Sequence, residues 1–527
     1  MTKNIKNYTC VVEGLTSEGI SFVTINKKLT RIPGFLPGDK IAIEYNEDAN
    51  RAIKAEMLEE SPDRIKSDCF FHGACGGCDL LELSEKGRKK EKQAMIKRAL
   101  ARIPGAEDAK LEPFTASKEI IRYMPRVRIH QSHHYEERAS GFLASENFGE
   151  KIPGGVVPVT SCALLMPALN KRLVATRKIL DQVPIMLESL ELMSSSSTRS
   201  DKVVGHAVMQ KGKTTHFFIK DLNKIMRAAN LKGLTVADHN NKIKEVLGET
   251  SVTGLIAPNV ENGPYESEAS FFVQGNIYQN PKLLEKVVEY AEPSENTYIV
   301  EGFAGAGNLT LALAAKGAKI DAVESHPGAV RSGIKNIKKS GFANVRLHEG
   351  NALKALSKFE NADVLVMDPP RTGTPGIAEI ANKLNAKKVV CVFCDLEAMV
   401  KDCKALISSK NYKIEKVAGL DLYPRTHHVE TVVLLSRKNV KGYIEVELTT
   451  EELKQKKGCA TYTEIQKYVK ENFGLSVSHL YIAQVKDKCG IKERENYNIG
   501  EGKLAVPVCP PEKEKAIMDA FRHFGMV

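Results

Sequence analysis

The chain is 527 residues long, 42% hydrophobic, with a formal net charge of +11 and 11 cysteines. That length suggests about three or four domains, and the lack of any long apolar run or apolar leader in MTKNIKNYTC argues against a membrane span or signal segment. The expected location is the cytoplasm, where so many cysteines favour metal or catalytic use over a disulfide scaffold, and the positive charge fits a polyanion partner through non-specific attraction.

Residues 1–60 alternate apolar and polar side chains in short runs broken by Gly and Pro, CVVEGLTSEGISFVTIN and then IPGFLPGDKIAIEY. This pattern predicts a small β-barrel of the kind that binds single-stranded nucleic acid, with a purely structural β-module as the alternative. Residues 61–265 read as a mixed α+β domain holding Cys69, Cys75, Cys78 and Cys162. Within it, 83–103 reads as a basic helix ending near Pro104 and Gly105, HAVMQKGKTTHFFIK as a β run and SSSSTRSD as a polar break. From 266 to 440 strands and helices alternate, with TYIVEGFAGAGN, AKIDAVES, NADVLVMDPP and KKVVCVFCD each a buried strand entering a loop. Such alternation predicts a doubly wound, mostly parallel sheet. Residues 441–527 read as a small helical domain. Thr461 and Glu464 form a capping box before Ile465, Val469 and Phe473 on one face, a second helix ends at Cys489-Gly490, and a third spans 512–524. The fold class is therefore a multidomain α/β chain, without internal repeats.

Gly302, Gly305 and Gly307 follow a strand and open a helix, so backbone can approach a ligand closely there. Glu324 closes the next strand, where an acid can accept from ribose hydroxyls. The G-x-G-x-x-G dinucleotide fingerprint is missing, which points to S-adenosylmethionine; a glycine turn kept for packing is the alternative. Asp368 falls at the carboxyl edge of the sheet, where open α/β sheets bind ligands. Pro369 and Pro370 stiffen the next loop, and Arg371 stands where amino-methylating enzymes usually place an aromatic. Cys394 follows a strand on that edge and suits a nucleophile; Glu430, at the start of a further strand, suits a base. A buried small hydrophobe is the alternative for Cys394, as expected for Cys391 and Cys403. His427 and His428 are expected to shape a loop. C-x5-C-x2-C with a remote fourth cysteine admits zinc or an iron–sulfur cluster, and three clustered ligands plus one distant favour 4Fe-4S. Cys10, Cys459, Cys489 and Cys509 lack ligand-like spacing.

Taken in order, these segments resemble the bacterial RNA uracil-5-methyltransferases, most closely the iron–sulfur members that modify 23S ribosomal RNA, over about residues 1–438. LTSEGISFV with IPGFLPGDKI looks like their N-terminal TRAM barrel, an OB-like fold, and 266–440 like their Rossmann-like methyltransferase domain. Cys69, Cys75, Cys78 and Cys162 match the four cluster ligands. FVQGN is similar to the family's F-x-Q-x-N segment, which implies a role for Gln274 at the methyl donor, as FAGAGN does for Phe303 and Asn308. The resemblance further implies that Glu324 takes the ribose, Asn351 sits near the adenine and Asp368 lies by the donor. Cys394 matches the nucleophile and Glu430 the base. The implied activity is 5-methyluridine formation in 23S ribosomal RNA with S-adenosylmethionine, through a cysteine adduct at carbon 6. Two departures stand out: Ala304 replaces a common Cys, and Phe393-Cys394-Asp395-Leu396 replaces the usual S-C-N-P. The alternatives are a transfer-RNA uracil methylator, a cytosine-5 methylator and a non-catalytic, cluster-bearing RNA-binding protein. Oligomeric state is open, with a monomer favoured.

Overall fold

The computed structural model describes residues 4–132, 139–145, 155–196, 200–213, 218–254, 265–438, 460–491 and 508–527; Cys459 and part of the SSSSTRSD break lie outside the described residues. Two compact units divide the chain, Met1–Val440 and Lys441–Val527. Among the described residues no helix is long and apolar enough to cross a membrane.

The first unit opens with two three-stranded antiparallel sheets. One joins Ile5–Val11, Lys40–Asn46 and Arg51–Glu59; the other joins Gly14–Leu15, Ser21–Ile25 and Lys28–Arg31. Strand alternation sets the packing: Ile41, Ile43 and Tyr45 turn inward onto Val12, Val23, Ile25 and Ile32. The cysteine-bearing segment follows, then the helix Glu85–Leu100. This helix is shorter at both ends than the basic run suggests, because the Ser84 hydroxyl caps it by accepting from the Gly87 N–H at 3.0 Å.

A seven-stranded sheet then runs from Val156–Val157 through Ser140–Leu143, Arg126–Gln131, Leu187–Ser194, Val203–Met209 and Gly233–Ala237 to Ile243–Gly248. The helices Pro167–Gln182 and Ile219–Ala228 share its core. HAVMQKGKTTHFFIK is not one β run, as its pattern suggests. The strand stops at Met209, and Ile219-Lys220 already belong to a helix, because Leu222, Ile225 and Ala229 recur at helical spacing and are fully buried.

The last part of this unit is built on an eight-stranded sheet. Its order is Val345–Glu349, Lys319–Glu324, Tyr298–Gly302, Val364–Met367, Lys388–Phe393, Glu430–Arg437, Tyr412–Leu420 and Lys110–Leu111. The first five are parallel, and Glu430–Arg437 runs antiparallel to both neighbours. Both faces are covered, so these strands read as continuous apolar runs rather than alternating ones. Val364 and Val366 enter one core layer, while Leu365, Met367, Cys391 and Phe393 enter the other. The chain leaves Tyr298–Gly302 toward one edge and returns on its other side at Val364–Met367, which makes a switch point between these strands.

The second unit has three described helices, Tyr462–Phe473, His479–Lys488 and Pro511–His523, around Ile465, Val469, Ile482, Val485, Ile517 and Phe521. The Thr461–Glu464 capping box is present, and Gly490 at φ +69° ends the second helix. Phe473 departs from expectation. It is 45% exposed, because it is the last helical residue before Gly474 turns the chain into the left-handed region.

Candidate active site

At the switch point the chain passes through Phe303 at φ +62°, Gly305 at +57° and Gly307 at +96° before the helix Asn308–Ala314. A left-handed phenylalanine is strained, and that strain re-aims the loop. A Cβ on Gly305 would meet nothing within 4 Å, so the loop faces open space. Glu324 ties this loop to the next: its carboxylate accepts from the Gly305 N–H at 2.9 Å and the His326 N–H at 2.6 Å. Asn308 exchanges two 2.9 Å bonds with Asn280, which locks its amide. Gln274 donates to Asp368 at 3.3 Å. Burial pushes Asp368 up to about 7, against the Gln274 bond. Glu301, on the strand just before the loop, is pushed up to about 8 by burial, with the Asp368 and Glu324 charges adding to the rise and Thr310 opposing it. Gln274, Phe303, Asn308 and Asp368 line one small pocket of about 40 Å³. Asn351 stands apart: it is exposed, caps the helix Ala352–Leu356 by accepting from the Lys354 N–H at 3.2 Å, and lines neither cavity.

Cys394 follows the strand Lys388–Phe393. Asp395 caps the helix Leu396–Ser408 by accepting from the Ala398 N–H at 2.9 Å, and Leu396 is buried, so Asp395-Leu396 build the loop beside the thiol. Phe393 pairs with Thr431 in antiparallel register, which sets Cys394 and Glu430 side by side at the end of the sheet. Burial, reinforced by the Glu430 and Asp368 charges, raises the Cys394 thiol to about 12, while Arg371 opposes the shift. Burial also holds Glu430 well above the carboxylate range; the Asp368 charge adds to this and Arg371 again opposes it. Burial thus favours the neutral form of both groups.

Three further residues shape this wall. Arg371 donates to His428 Nε2 at 3.2 Å. His428 is pushed down to about 3 by burial and by the neighbouring His427 and Arg371, so its ring is neutral and can accept. The Tyr423 hydroxyl occupies the space a Cβ on Gly275 would need, which explains glycine within FVQGN. The sequence carried a signal for Arg371, in DPPR, but none for the buried carboxyl of Glu301 or for the Tyr423 contact.

One cavity of about 1110 Å³ spans this region, lined by Cys394, Glu430, Asp368, Glu324, Gln274 and Arg371. Cys69, Cys75, Cys78 and Cys162 line the same cavity. Burial and the other three thiols raise Cys78 to about 12; Cys75 and Cys162 are raised too, chiefly by burial. Among the described residues no group of three or more His, Cys, Asp or Glu side chains is placed to hold a metal ion.

A family model described as tRNA (Uracil-5-)-methyltransferase matches residues 164–438. Over 441 residues the chain is 25% identical to the protein named 23S rRNA (uracil(1939)-C(5))-methyltransferase RlmD of Shewanella sediminis (strain HAW-EB3), a match covering 81% of this chain and 95% of the relative. The protein of the same name from Vibrio cholerae is 24% identical over 456 residues, covering 83% and 97%. Among solved structures, the Pyrococcus abyssi tRNA (uracil-54, C5)-methyltransferase in complex with S-adenosyl-L-homocysteine is similar in fold, with a TM-score of 0.58 at 18% identity, covering 81% of this chain and 100% of that one.

Proposed function

The chain belongs to the tRNA (uracil-5-)-methyltransferase family and is an S-adenosylmethionine-dependent RNA uracil-C5-methyltransferase, and from that premise we propose that it forms 5-methyluridine in 23S ribosomal RNA through a transient Cys394 adduct. The ribosomal substrate is supported by relatives that align over nearly their whole length. The observation that carries the mechanism is the register that puts Cys394 beside Glu430, in the cavity that also holds Asp368, Glu324 and Gln274.

S-adenosylmethionine supplies the methyl group when bound. The residues present fit it: the Gly305 loop faces open space, and Glu324, Asp368 and Gln274 bring two carboxyls and an amide to the cavity beside it. Gln274, Phe303, Asn308 and Asp368 would hold its amino-acid end and Glu324 the ribose. Carbon 5 of uracil is a poor nucleophile until carbon 6 is attacked. The Cys394 proton leaves to solvent, the thiolate bonds to carbon 6, and the C5=C6 electron pair shifts onto O4 as an enolate facing Arg371. Carbon 5 then takes the methyl group. Glu430, after losing its own proton to solvent, removes the carbon 5 proton, the double bond re-forms, the C6–S bond breaks and the thiolate regains a proton from solvent. One proton is released per methyl transferred. Burial, which favours the neutral form of Glu430, makes its carboxylate a strong base once formed.

Cys69, Cys75, Cys78 and Cys162 would hold a 4Fe-4S cluster, which would tie their segments together and stabilise the buried thiolates. The reading is supported by the four thiols lining one cavity and by Cys69, Cys75 and Cys162 each acting electrostatically on Cys78. In this reading 1–60 is a TRAM-like RNA-binding barrel, 61–265 the cluster-bearing domain, 266–440 the catalytic domain and 441–527 a helical accessory domain of a cytoplasmic enzyme. The test is 5-methyluridine mapping in 23S and transfer RNA from cells with and without the gene. Loss confined to 23S RNA is expected; loss confined to transfer RNA refutes the substrate.

A further inference from the structure

A line of contacts runs from the cysteine-bearing segment to Arg371, whose charge acts on Cys394. Asp79, the residue after Cys78, accepts from the His427 backbone N–H at 2.8 Å with one oxygen and pairs with His427 Nδ1 through the other. The His427 and His428 rings lie 4.2 Å apart, centre to centre. His428 Nε2 accepts from Arg371 at 3.2 Å, and Arg371 is the cation whose charge acts on both Cys394 and Glu430. The same loop is held at further points. Asp68 grips Arg425 through two bonds of 2.8 and 3.0 Å, the Leu80 N–H donates to the Arg425 carbonyl at 3.1 Å, and buried Lys92 bonds Asp421 at 2.6 Å and the Tyr423 carbonyl at 2.9 Å. The N-terminal strands close on it from another side: a Cβ on Gly19 would run into the His427 ring.

Arg371 is itself exposed, on a loop, with a long side chain that loses rotamer freedom when fixed. Its bond to His428 needs that ring neutral, with the proton on Nδ1 and the Nε2 lone pair aimed at the guanidinium. The backbone and ring bonds of Asp79 fix where His427, and so the His428 ring tilted against it, can stand. A guanidinium held beside O4 stabilises charge that develops only after carbon 6 is attacked, so its placement acts on the reaction rate more than on RNA binding.

We propose that Asp79 and His427 are positioning residues that act through His428 to hold Arg371 over Cys394 and the pyrimidine ring. This rests on the Cys394 adduct proposed above. The segment bearing Cys75 and Cys78 is then also a mount for the active site.

The experiment uses the full chain, purified anaerobically, and follows covalent trapping on ribosomal RNA carrying 5-fluorouridine, with bound metal and S-adenosylmethionine affinity measured in parallel. Asp79→Asn and His427→Gln are each expected to slow adduct formation at saturating RNA about tenfold, since small displacements of a reacting group are costly. Bound metal, cofactor affinity and RNA affinity stay near wild type. In an Arg371→Ala background the same substitutions are expected to add less than about a twofold loss, because groups in one contact line are not additive. A full additive loss in that background overturns the proposal, as do variants that trap RNA at the wild-type rate. Metal loss in both variants also overturns it, by assigning the contacts to assembly of the cysteine site. A wild-type chain that binds cofactor and RNA yet forms no adduct removes the Cys394 reading, and this proposal with it.

Discussion

Replacing Glu430 by Gln separates the two halves of the proposed reaction. Burial favours the neutral form of the Glu430 carboxyl, and an amide of the same size is a close substitute for that form. Folding and cofactor affinity should therefore change little. Methyl transfer can still occur, but the amide cannot take the carbon 5 proton. A positioned general base contributes about 10²–10⁴ in rate, which is roughly 3–5 kcal/mol of barrier at 1.36 kcal/mol per tenfold. Steady-state turnover should fall by that factor while a methylated protein–RNA adduct accumulates on ordinary, unfluorinated RNA. Denaturing gels with a radiolabelled methyl donor report both. Turnover within about threefold of wild type, where a general base is worth at least a hundredfold, would refute the assignment. So would slow turnover with no accumulated adduct, which would place Glu430 before bond formation.

Glu301 and Asp368 are buried carboxyls whose folded values, about 8 and about 7, lie above their ordinary ones. The folded state therefore binds more protons than the unfolded one between about pH 4 and 8, and stability falls as pH rises through that window; Glu301→Gln should flatten the fall in thermal melts, and an unchanged slope refutes the reading. Gly275→Ala should displace the Tyr423 hydroxyl and cost about 1–3 kcal/mol by overpacking, read from urea unfolding, together with lost activity. Lys86, Lys89, Lys90 and Lys97 share the exposed side of the helix Glu85–Leu100, opposite buried Arg88, Glu91 and Lys92. Changing all four to Gln should lower the salt slope of RNA binding by about 3 while leaving cofactor affinity unchanged; filter binding at several salt concentrations decides.

Elements whose pattern is local are legible in the sequence alone. The strand Val364–Met367 announces itself as an apolar run, the capping box at Thr461 by two side chains, and the glycine loop by its spacing. The sequence misleads where its local pattern is ambiguous. FFIK reads as a strand until Leu222 and Ile225 are seen to complete a helical face, and Phe473 loses its burial only because Gly474 ends the helix. In the candidate site, Cys394 and Glu430 can be named from segments that end or begin strands, but not paired. Asn351 can be named as well, yet its side chain caps a helix away from both cavities.

Residue order alone determined which backbone conformations recur and where thiols, glycines and carboxyls stand along the chain, because helix period, strand period and turn chemistry act over a few residues. Tertiary structure alone decided which of them meet: Asp79 reaches His427 across 348 positions, and Lys110–Leu111 completes a sheet otherwise built after residue 297. It also decided the ionisation of Cys394, Glu430 and His428, because the cost of charge depends on the water excluded by the whole assembled interior, which no short stretch of sequence contains.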